Sequence, residues 1–142
     1  MKKKVLFFLI IIFIPVLLLS SCKKTDRGLL LSNKPINLSN YSVLPEIPVF
    51  YTGQRIYYAL VSKKAIKSPV LRLQTIKMDN KYGYPIPQME IPYAVDIPRG
   101  PNLYAVTDYF VLHQAGDYYL RIFELDKLDK PIIEAHFIVE KR

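Results

Sequence analysis

The chain is poor in the residues that most often carry chemistry. It has one cysteine (Cys22), two histidines (His113 and His136), no tryptophan, and five glycines scattered singly through 142 residues. A lone cysteine excludes a disulfide within the chain and any site built on several thiolates. Two histidines without a gathered set of carboxylates make a poor metal cluster. Ser62 or Ser68 can be combined on paper with either histidine and Asp108 or Asp117, but no nucleophile elbow accompanies them. Glu124 with Asp126 or Asp129 reads as a turn-forming set, not a glycosidase pair. Isolated glycines exclude a phosphate-cradling loop. No enzyme, metal or cofactor is expected.

Charge is equally undramatic. The net charge is +8. With Lys2, Lys3 and Lys4 set aside, 17 basic residues face 12 acidic ones, spread along the chain without a run. This pattern suits a solvated surface or a nearby headgroup layer, and gives no footprint for nucleic acid.

The start of the chain is its most specific feature. Lys2 to Lys4 form a positive segment, Val5 to Leu19 an apolar run interrupted only by Pro15, and Ser20 and Ser21 precede Cys22. This is the order of an export signal. The tetrapeptide Leu19-Ser20-Ser21-Cys22 resembles the lipobox of bacterial lipoproteins. That resemblance implies removal of residues 1–21 by signal peptidase II and acylation of Cys22, which then holds the protein to the bilayer. Two or three acyl chains, at about 0.8 kcal/mol per buried methylene, make such an anchor long-lived. Lys23 and Lys24 stand where an Asp commonly marks inner-membrane retention, so the resemblance favours the outer membrane, periplasmic or surface-facing.

Residues 22–40 read as the lipidated N-terminus and a tether. Leu29-Leu30-Leu31 interrupts its polar character, so a first strand within 29–40 is an open alternative. From residue 41 to 142 the apolar period is two. Ile56, Tyr58 and Leu60 alternate in Arg55–Ser62, and Leu71, Leu73 and Thr75 in Pro69–Lys77. Tyr104–Leu112 is rich in β-branched and aromatic residues. In the last two runs Tyr118, Leu120 and Ile122 alternate against Tyr119, Arg121 and Phe123, and Ile133, Ala135, Phe137 and Val139 against Glu134, His136, Ile138 and Glu140. Turn formers separate these runs, and ten prolines after the signal argue against long helices. The expectation is an all-β antiparallel sandwich of about seven strands, with a small barrel as the alternative.

Ala115-Gly116-Asp117-Tyr118-Tyr119-Leu120 resembles the corner entering strand F of immunoglobulin-like domains. The resemblance makes Gly116 and Tyr118 the structural corner, with the Tyr118 hydroxyl bonding back to the corner backbone. Gly53 to Leu60 resembles a strand B entry. Leu60 and Leu120 fall where antibody domains carry bridging cysteines, the strand C tryptophan is missing, and Gln114 replaces the usual Asp. The resemblance is therefore to an immunoglobulin-like or fibronectin-like domain outside the antibody subclass.

Residues 84–101 hold Pro85, Pro87, Pro92, Pro98 and Pro101, which rules out a central strand and leaves either a protected sheet edge or a partner-binding loop. Tyr82, Tyr84, Met89 and Tyr93 are its candidate contacts. A second candidate set is an outward row of Tyr57, Tyr109 and Tyr119. The expected function is a membrane-anchored, non-enzymatic module that binds a protein in the envelope or has a structural role. A carbohydrate- or cell-wall-binding module is the alternative.

Overall fold

The computed structural model describes residues 26–41, 46–79, 88–100 and 102–142. Eight strands and no helix occur among them: β1 (Arg27–Ser32), β2 (Val49–Tyr51), β3 (Arg55–Ile66), β4 (Val70–Asp79), β5 (Gln88–Pro98), β6 (Leu103–Val111), β7 (Gly116–Glu124) and β8 (Ile133–Glu140). One sheet has the order β1-β3-β6, the other β2-β8-β7-β4-β5, and neither closes into a barrel. All neighbours pair antiparallel except β2, which runs parallel to β8.

The period-two pattern works because alternate side chains of a strand leave opposite faces of its sheet. Ile56, Tyr58 and Leu60 of β3, Leu71 and Leu73 of β4, Leu120 and Ile122 of β7, and Phe137 and Val139 of β8 are buried together in one core. Aromatic rings connect its parts. Phe137 stacks on Tyr118 with centroids 5.5 Å apart and meets Phe50 and Phe110 edge-on, each at 6.0 Å. Edge-on and offset contacts of this kind add about 0.5–1.5 kcal/mol each beyond area burial.

Three elements depart from the sequence pattern. Of the two readings open for residues 22–40, the strand through Leu29-Leu30-Leu31 is present as β1, starting two residues before 29, and it pairs with β3 from Arg27↔Ser62 to Ser32↔Tyr57. A three-residue strand, β2, raises the count above seven; at Gly53 (φ 76) the chain then turns from the five-stranded sheet to the three-stranded one. Only glycine takes that backbone conformation without cost. Phe123, placed outward by alternation with Tyr119 and Arg121, is only 6% exposed. Its cross-strand neighbour is Arg72, held by Asp96, and a long aliphatic stem tied down this way shields an outer-face ring.

The proline-rich segment supplies β5, the outer edge of the five-stranded sheet. Its pairing with β4 skips between Thr75↔Tyr93 and Lys77↔Glu90, so Ile91 and Pro92 together oppose Ile76 in a bulge. Edges and bulges are where a sheet tolerates a residue lacking an N–H.

Candidate functional site

The two outer faces of the sandwich differ in kind. Across the five-stranded sheet run polar pairs between neighbouring strands: the ion pairs Arg72 with Asp96 at 2.7 Å and Arg121 with Glu134 at 3.0 Å, and the His136 imidazole 3.4 Å from the Asp117 carboxylate. Such a face is satisfied by its own cross-strand partners and by water. The three-stranded sheet has one ion pair, Lys64 with Asp26 at 2.6 Å where β1 begins, and none along the rows that lead from there to Tyr57 among the described residues. Its cross-strand rows are Ser32-Tyr57-Tyr109, Leu30-Ala59-Thr107 and Gly28-Val61-Ala105. At one end Tyr57 and Tyr109 lie with ring centroids 5.7 Å apart, and the Arg55 guanidinium sits 4.9 Å from the centre of the Tyr109 ring. Tyr109 keeps 44% of its surface exposed. Within the strip Leu30 and Ala59 are buried, so the accessible part of this face is its Tyr57, Tyr109 and Arg55 end, which has the composition of interface anchors.

The expected row of Tyr57, Tyr109 and Tyr119 is thus divided. Tyr57 and Tyr109 are neighbours, but Tyr119 belongs to β7 in the other sheet, where its ring stacks on His136 at 4.8 Å. Alternation marks a residue as outward without saying on which sheet. No protein-family model matches this chain, and no curated protein matches it either. The reading of the site therefore rests on its geometry.

The second candidate set is divided too. Tyr93 points from β5 into the sandwich, half-buried, with its ring stacked on Phe110 at 6.0 Å. Met89 is in β5 opposite Met78. Tyr82 and Tyr84 lie outside the described residues, as does Cys22. At the β7 entry the Tyr118 hydroxyl donates to the Gln114 carbonyl at 2.8 Å, and Gly116 has φ 156, with Lys77 packed where a side chain would stand.

Sequence reasoning missed the polar groups between the sheets. Arg99 donates to Asp108 at 2.7 Å near the edges of β5 and β6. Beneath them Tyr58 is 2% exposed, and its hydroxyl has no hydrogen-bond partner among the described residues. Burial pushes the Tyr58 phenol up to about 12; the Asp108 carboxylate adds to this and Arg99 opposes it. In one dimension Arg99 is a charge after a proline and Asp108 an acid in a strand, and nothing there signals that they meet. Among the described residues no three His, Cys, Asp or Glu gather as metal ligands.

Proposed function

We propose that the chain is a lipid-anchored, non-enzymatic recognition module of the bacterial envelope: an immunoglobulin-like domain held to a membrane through acylated Cys22 and docking a protein partner on its three-stranded sheet. The observation that carries the docking surface is the contrast between the two outer faces, one ion-paired and self-satisfied, the other apolar with Tyr57, Tyr109 and Arg55 at one end. The immunoglobulin-like reading is supported by strand order. Strands β1, β3 and β6 follow the A, B and E positions of such domains, and β8, β7, β4 and β5 follow G, F, C and C′. The Tyr118–Gln114 bond and the full burial of Leu60 and Leu120 support it further.

A photo-crosslinking residue placed at Tyr109 in intact cells should yield a discrete protein adduct, while the same residue at Glu134, on the opposite face, should yield none. The adduct should disappear in a Tyr57→Ala, Arg55→Ala double variant, because anchor residues of this type are worth about 2 kcal/mol or more each. Equal adducts from both faces would reject the docking surface.

A further inference from the structure

The sandwich is open along one side. Strands β5 and β6 are the edges of the two sheets there, Gly100 (φ 80) and Asn102 (φ 61) stand at the facing ends of the two strands, and among the described residues no further strand fills the gap. The cleft between them has a volume of about 330 Å³, near the low end of the roughly 300–1,000 Å³ typical of ligand sites. Its walls are Tyr93, Val95 and Phe110, its floor includes Tyr58, and Arg99 and Asp108 stand at its rim.

Two observations make this more than a groove. Tyr58 is 98% buried and lines the cleft, and its hydroxyl, close to Arg99, makes no well-aligned hydrogen bond among the described residues. Leaving such a group unpaired costs about 1–3 kcal/mol, a cost that a ligand acceptor would remove. Arg99 and Asp108 add a donor and an acceptor whose charges offset each other, and Asp96, also on the lining, is held by Arg72. An anionic ligand would meet Asp108 and a cationic one Arg99, so a neutral ligand with hydroxyls of its own fits best. The Tyr93 ring and Val95 offer that ligand an apolar wall. A molecule with hydroxyls around its rim and a C–H face matches all three features.

An added peptide strand matches less well. On β6 the Tyr109 N–H is taken by its own neighbour, the Asp108 carboxylate, at 2.9 Å, and on β5 Pro92 and Pro98 have no N–H to give. Backbone pairing is hindered on both edges, whereas the space between them is open. We propose that this cleft binds a single ring of a neutral saccharide, with Tyr58 and Arg99 donating to its hydroxyls, Asp108 accepting from them, and Tyr93 packing on its C–H face. Tyr109 borders both this cleft and the protein-docking face, so the two sites adjoin, but the groups assigned to the sugar are Tyr58, Arg99, Asp108 and Tyr93, none of which is an anchor of that face.

The test uses the full-length chain in a detergent without sugar headgroups, with its tyrosine rings isotopically labelled for NMR. Glucose, galactose, mannose and N-acetylglucosamine are titrated singly, beside an extended Thr-Val repeat peptide. At least one sugar should shift the Tyr58 and Tyr93 rings saturably. In Tyr58→Phe and in Asp108→Asn, the Tyr93 titration should weaken about tenfold, the size expected for one lost hydrogen bond in a desolvated site. An unchanged Tyr118 resonance in both variants shows that the fold is intact. Sugars that leave Tyr58 and Tyr93 unmoved, or that bind both variants as well as the parent, overturn the proposal. Shifts caused by the peptide alone overturn it in favour of strand addition. Crosslinking from Tyr109 is scored separately, so failure here leaves the docking face standing and the reverse also holds.

Discussion

Three hydroxyls on the inner faces of the sheets have opposite fates. Tyr118 donates to the Gln114 carbonyl, whereas the Tyr58 and Thr75 hydroxyls are buried with no partner among the described residues. The same kind of deletion should therefore change stability in opposite directions. Tyr118→Phe should lose about 1 kcal/mol in urea denaturation, because it strands a carbonyl. Thr75→Val, which replaces an unpaired hydroxyl by a methyl, should gain about 1 kcal/mol in the same assay. The tyrosines also set an alkaline limit. Burial raises the phenols of Tyr58, to about 12, and Tyr118 above the usual 10. A raised folded-state value means that the unfolded chain releases its proton first, so the stabilisation is complete below pH 10 and is lost as pH climbs towards 12. Denaturation midpoints should fall over that interval, and less steeply in Tyr58→Phe; equal slopes would assign the loss to other groups. At this scale the sequence announced Tyr118 through its corner motif. It did not announce Tyr58, whose unpaired hydroxyl is defined by what fails to surround it.

Strands β3, β4, β6, β7 and β8 were readable because each has a buried and a solvated face, and the alternation of side chains records both. Three strands were harder, for different reasons. β1 centres on three consecutive leucines, and Leu30 on its outer side is as buried as a core residue, which erases the alternation. β2 is only three residues long and supplies one buried side chain, Phe50. β5 carries prolines that ordinarily exclude a strand, yet as an edge strand it must supply hydrogen bonds on one side only. Its prolines have a second consequence. They remove donors from an edge that another chain could extend. Pro92→Thr with Pro98→Thr should keep the fold and increase association, read as a rise in light scattering on incubation at high concentration. A variant that stays monomeric would show that the bulge alone protects this edge.

At the level of the molecule, an anchor proposed from the first 22 residues is joined to a sandwich whose two outer faces have unlike chemistry. Cys22→Ser should abolish labelling by a fatty-acid probe in growing bacteria, and undiminished labelling would reject the anchor. The order of basic segment, apolar run and Cys22 is a property of the linear chain, because the machinery proposed to act on it meets an extended segment before any domain has folded. The all-β class was settled in one dimension as well, since period-two alternation and frequent turn formers leave a helix nothing to bury. The tertiary structure decided everything that depends on adjacency. It put Tyr57 beside Tyr109 and sent Tyr119 to the other sheet, brought Arg99 to Asp108, and left a cleft over Tyr58. Alternation divides side chains into inward and outward, but which strands share a sheet, and where two sheets part at an edge, follows from pairing between segments far apart in the chain.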